Sequence, residues 1–159
     1  MPSDITRFLH RLFSNEEGIM SAKTGTIEFF AGREFSPQTR QILDFMRYGG
    51  SNNAPLSYNE FRGDKVATYL ETMLGKEIIG MDFGREYSPV LYLRLRLPNN
   101  DSDSECAVDK TKLAKIIKSL KKLGADELSV EESQHIPCHD GKVEETEGKK
   151  KMVIRAWWD

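Results

Sequence analysis

Apolar residues recur along this chain in two rhythms, and the switches between them outline its secondary structure. Behind Ser3, a residue suited to cap a helix, Ile5, Phe8, Leu9, Leu12 and Phe13 fall at i, i+3, i+4, i+7 and i+8, one face of a helix running to about residue 14. A loose segment from Ser14 to Lys23 follows. Gly25-Thr26-Ile27-Glu28-Phe29-Phe30 is β-branched and aromatic after a glycine, which predicts a first strand. Ser36-Pro37 fits an N-cap with proline at the first helical position. Ile42, Leu43, Phe45 and Met46 form the buried side of that helix, and Gly49-Gly50 ends it. Ser57-Tyr58-Asn59-Glu60 has the spacing of a capping box and predicts a third helix from that point. Its apolar stripe is Val66, Tyr69, Leu70, Met73 and Leu74, and Gly75 supplies a left-handed stop.

The rhythm then changes to period two. Residues 77–84 and 89–97 read as strands joined by Arg85-Glu86-Tyr87-Ser88, a connection short enough only for a hairpin-like turn. In the second, Leu91, Leu93, Leu95 and Leu97 point one way while Tyr92, Arg94 and Arg96 point the other, as in a sheet with one buried face. The polar, acidic run 98–104 is a loop, followed by a helix with the stripe Leu113, Ile116, Ile117, Leu120 and Leu123, a lysine side opposite it, and Gly124 at its end. Leu128 and Val130 mark another strand. A second polar loop, Pro137 to Lys151, leads to the final strand Met152-Val153-Ile154-Arg155-Ala156-Trp157-Trp158, which predicts a docked C-terminus. The order predicts an α+β fold with a mainly antiparallel sheet of four or five strands. It contains the β-α-β-β-α-β run of a ferredoxin-like sandwich, with an extra N-terminal helix and an extra C-terminal edge strand. At 159 residues, one domain is expected, residues 1–23 being N-terminal helix and linker and 24–159 the core.

Composition narrows the function classes. Hydrophobic residues at 38% and charged residues at 30% describe an ordinary globular chain rather than a disordered one. The start, Met1-Pro2-Ser3-Asp4-Ile5, has no basic region and no long apolar run, so no signal peptide or membrane span is expected. Two cysteines, Cys106 and Cys138, are too few for a secreted disulfide framework, which points to a reducing, cytoplasmic setting. A net charge of −2 makes no global field for phosphate backbones, so any nucleic-acid contact has to come from a local patch.

Several clusters could carry chemistry. Gly32-Arg33-Glu34-Phe35-Ser36-Pro37 returns as Gly84-Arg85-Glu86-Tyr87-Ser88-Pro89, identical at five of its six positions. Shared turn chemistry explains this. Alternatively, if the strands before the two copies run parallel with a third between them, the turns lie roughly 10 Å apart. Arg33 and Arg85 then converge on one anion. The face with Tyr92, Arg94 and Arg96, beside an aromatic of the last strand, could stack and clamp single-stranded nucleic acid or meet a protein; an ordinary solvated face is the plain reading. The lysines from Lys110 to Lys122 suit any surface helix. His135, Cys138 and His139 are metal-like donors, with Cys106 as a fourth, but paired CxxC half-sites are missing. Cys138 could also act as a nucleophile with His135 or His139 as its base. The N-terminal helix either covers its own domain or docks into a partner groove.

No nucleotide-binding glycine loop, Gly-x-Ser-x-Gly elbow or His-Glu-x-x-His helix occurs in the sequence. The expectation is therefore a non-catalytic interaction module binding a protein or single-stranded nucleic acid through an open sheet face and strand-end loops. A homo-oligomer is compatible with this, and no cofactor is implied. The competing expectation is a small enzyme or metal-binding protein acting on an anionic substrate with the Cys138/His135/His139 loop or the Arg33/Arg85 turns.

Overall fold

The computed structural model describes residues 18–23, 37–86, 88–97, 107–133, 135–137, 143–145 and 151–159. In chain order these are β1 (Gly18–Lys23), α1 (Pro37–Tyr48), β2 (Ser57–Tyr58), β3 (Phe61–Arg62), α2 (Gly63–Met73), β4 (Ile78–Glu86), β5 (Ser88–Leu95), α3 (Lys110–Lys122), β6 (Glu127–Ser133), β7 (His135–Pro137), β8 (Val143–Glu145) and β9 (Lys151–Trp157), with a 3-10 turn at Ser51–Asn53. The fold is α+β. Its main sheet runs β1-β4-β5-β9-β6 with every neighbouring pair antiparallel.

This order corrects one expectation. The C-terminal strand does not sit at an edge; β9 lies between β5 and β6. Edges expose one row of backbone groups and tolerate charge, whereas a strand paired on both sides must at least fill its core-facing positions with apolar side chains. β6 carries exposed Glu127, Glu131 and Glu132, while β9 buries Val153, Ile154 and Ala156, so the two strands differ in the environment they can accept. Because β5 and β6 both run antiparallel to β9, they are parallel to each other with β9 between them, and α3 connects them; this alone does not make the ferredoxin-like arrangement. On the other side of β5, β1 pairs directly with β4.

Local chemistry accounts for most element ends. α3 starts at Asp109, whose Oδ1 accepts a hydrogen bond from the Lys112 N–H at 2.8 Å, and stops at Gly124 with φ of 95°. Gly75, at φ of 81°, follows α2 as expected. Three segments depart from the pattern reading. Ser57 and Tyr58 pair with Arg62 and Phe61 in a tight hairpin, and α2 begins only at Gly63. Asn59 takes the left-handed conformation (φ 49°), which turns the chain back and removes the capping box. β1 lies in the supposed linker, and β7, at the start of the second polar loop, pairs with β8 inside it. The N-terminal helix and the strand at 25–30 lie outside the described residues.

The core sits on one face of the sheet. Met81 pairs with Leu93, Phe83 with Leu91, Leu91 with Ala156 and Leu93 with Ile154, and cross-strand partners share a face. The same buried cluster contains Ile42, Leu43 and Met46 of α1, Val66 and Leu70 of α2, and Ile116 and Leu120 of α3. Trp158 completes it: the indole is fully buried, meets Phe61 edge-on at 5.1 Å between ring centroids, and donates from Nε1 to the Leu123 carbonyl at 3.0 Å. α1 and α2 are tied by Glu71, whose Oε1 pairs with Arg47 and, at 3.4 Å, with Arg40. The Gly63 N–H donates to Leu56 O at 2.7 Å and Leu56 N–H to Met46 O at 2.9 Å, so backbone touches backbone at this crossing. A Cβ on Gly63 would run into the Met46 carbonyl.

Candidate functional site

Strand registers place the second face of the sheet. Tyr92 lies opposite Asp82 on β4 and Arg155 on β9, and Arg155 lies opposite Ser129 on β6. One row along, Val90 pairs with Gly84 and Trp157, and Trp157 with Glu127. In the other direction Arg94 pairs with Gly80 and Val153, and Val153 with Glu131. These residues alternate with the core positions, so they share the face turned away from α1, α2 and α3.

At its centre stand Tyr92, Arg94, Arg155 and Trp157, all half-buried, with Val90 and Val153 buried among them. The Arg155 guanidinium carbon lies 5.8 Å from the centroid of the Trp157 ring, within range of a cation–π contact. Its Nη1 lies 3.7 Å from Glu127 Oε2. The guanidinium thus lies over the indole while staying within ion-pair distance of a carboxylate. The described side chains of this face include three carboxylates, Asp82, Glu127 and Glu131, against two guanidiniums, Arg94 and Arg155. The last strand's share, Arg155 and Trp157, has the right parity in sequence, but only the register shows which β5 residues it meets.

Not every residue singled out from sequence belongs here. Arg96 follows β5 and is 3% exposed; its Nε donates to Lys76 O at 2.7 Å and its Nη2 to Gly75 O at 3.0 Å. The carbonyls just beyond a helix end lack intrahelical donors, and Arg96 supplies them behind α2 instead of joining Tyr92 and Arg94 on the second face. Arg85 lies near the end of β4, opposite Pro89 and in phase with the core residues Met81 and Phe83. Arg33 lies outside the described residues. The position two strands from β4 across β5, where the convergent-arginine arrangement needs a parallel strand carrying Arg33, is occupied by β9. His135 opens β7 opposite Glu145, while Cys138, His139 and Cys106 lie outside the described residues. Among the described residues no three metal-ligating side chains come together.

The perturbed ionisations belong to the helix layer. The hydrogen bond from Arg47 holds the Glu71 carboxyl below the usual glutamate range and raises the arginine in turn. Burial pushes the Tyr69 phenol up, partly offset by its hydrogen bond with Ser119. Both fit structural roles between helices. Among the described residues no helix is long and apolar enough to cross a membrane. Compared with models of protein families, with curated proteins and with solved structures, the chain matches none of them.

Proposed function

We propose that this chain is a non-catalytic interaction module that docks a protein partner on the sheet face built by β4, β5 and β9. The supporting observation is the cross-strand placement of Tyr92, Arg155 and Trp157, in register at the centre of that face with charges of both signs around them. Tyrosine, tryptophan and arginine are the residues that most often dominate protein–protein binding energy, because each combines large contact area with a polar group. Charge balance favours protein over nucleic acid. Phosphate backbones require an excess of cations, and the described side chains of this face show none, Asp82, Glu127 and Glu131 standing beside Arg94 and Arg155. A surface with both signs instead complements a partner that also carries both, and mismatched partners are rejected by like charges.

Affinity capture from the natural host, run in parallel with wild type and with a Tyr92→Ala, Trp157→Ala variant of unchanged denaturation midpoint, tests this reading. A protein held by wild type and lost by the variant is expected, and adding it back in pure form should alter tryptophan emission. Trp158 is sealed in the core, so that change reports Trp157. Equal recovery on both baits would sink the reading. So would steeply salt-dependent binding of a single-stranded oligonucleotide that the variant abolishes.

A further inference from the structure

Between the β2–β3 hairpin, the first turn of α2 and the end of α3 lies a surface cleft of about 270 Å³, lined by Glu60, Arg62, Lys65, Lys122, Leu123 and Gly124. We propose that this cleft binds one small phosphate-class anion carrying two or three negative charges, a phosphate ester or pyrophosphate, independently of the sheet face.

Four observations carry the assignment. Three cations reach the cleft from three different elements, Arg62 from β3, Lys65 from α2 and Lys122 from the last turn of α3. Like charges gathered by unrelated segments repel one another, and a bound anion removes that cost. Lys65 and Lys122 have no hydrogen-bond or ion-pair partner among the described residues, so their charges are available. Arg62 is pre-oriented: its Nη1 donates to Ser57 Oγ at 3.1 Å, to Phe61 O at 3.2 Å and to Asn59 O, while Nη2 and Nε take no part. A guanidinium held this way loses little freedom when its remaining edge meets a phosphoryl group.

The walls are fixed and short of competing acceptors. Gly124 packs so closely on the hairpin that an added Cβ would lie 2.8 Å from Glu60 Cβ, which ties the end of α3 to the β2–β3 turn. The carbonyl of Leu123 already accepts from Trp158 Nε1 at 3.0 Å. Charge and size then select the ligand. Three cations against the single carboxylate of Glu60 leave two net positive charges, which suits such an anion. The volume, about 270 Å³, is just below the ~300–1,000 Å³ of drug-sized sites and admits a small phosphate ester or pyrophosphate together with some of its water.

Titration of the full chain with pyrophosphate at low ionic strength, followed by calorimetry, provides the test. Saturable binding of one pyrophosphate per chain is expected. A Lys65→Gln, Lys122→Gln variant should bind about tenfold more weakly, within the range for two exposed charge contacts. Glu60→Gln should bind more tightly. A Lys115→Gln, Lys118→Gln control, equal in charge change and on the same face-exposed helix, should bind like wild type. The Tyr92→Ala, Trp157→Ala variant should also bind like wild type, which separates this site from the sheet face. No saturable heat with wild type would overturn the proposal, as would an equal loss in the control. Displacement of pyrophosphate by a single-stranded oligonucleotide, with the same dependence on Lys65 and Lys122, would overturn the small-ligand assignment.

Discussion

Two buried polar side chains show how differently a residue can meet the cost of leaving water. Arg96 is covered almost completely, and its guanidinium is satisfied by the Gly75 and Lys76 carbonyls, so it adds a charge-assisted clasp to the turn between α2 and β4. Ser88 is as deeply buried, yet among the described residues its Oγ has no hydrogen-bond partner. An orphaned hydroxyl costs about 1–3 kcal/mol, and removing it leaves only a methyl-sized side chain in an already apolar place. Ser88→Ala is therefore expected to raise stability by about 1 kcal/mol, read as a higher urea midpoint at unchanged m-value. A lower midpoint would show that the hydroxyl is in fact bonded. In sequence, Ser88 looks like a turn residue before proline; its burial follows from the hairpin closing between Glu86 and Ser88, which leaves one residue between the strands where the pattern implies four.

At the level of elements, α1 and α2 illustrate what periodicity conveys and what it leaves out. Their apolar stripes name the buried residues correctly, from Ile42 to Met46 and from Val66 to Leu70. Periodicity does not say that the helices are joined by Glu71, Arg47 and Arg40, since those residues are far apart in sequence and meet only once the stripes pack. This junction has a pH signature. The Glu71 pKa is lower in the folded protein than in the unfolded chain, so its stabilisation is present in full above the ordinary glutamate pKa of about 4.3 and is lost as pH falls through the lower folded value. The pair is partly solvated, which limits its contribution to about 1 kcal/mol or less. Glu71→Gln should lower stability slightly at neutral pH and converge with wild type in acid, as followed by denaturation midpoints between about pH 7 and pH 3. A constant gap across that range would assign the effect to packing.

For the whole molecule, the position of β9 decides how much depends on the chain's end. An edge strand can be lost with local damage, but β9 carries hydrogen bonds to β5 on one side and β6 on the other, and Trp158 fills the centre of the core. Removal of residues 151–159 is expected to abolish cooperative unfolding and dispersed amide signals. Removing a buried tryptophan alone costs about 3–5 kcal/mol, a large share of typical domain stability of about 5–15 kcal/mol. A cooperatively folded truncation would return β9 to the edge. Residue order alone carries the local features: the helical stripes, the alternation in β5, the glycine stops at Gly75 and Gly124, and the apolar character of the last strand, all of which depend on residues within a few positions of each other. The tertiary structure alone decided strand order, the register that sets Tyr92 beside Arg155, the burial of Arg96 and the meeting of Arg62, Lys65 and Lys122. Those outcomes depend on which distant surfaces bury the most apolar area together, and no short stretch of sequence contains that information.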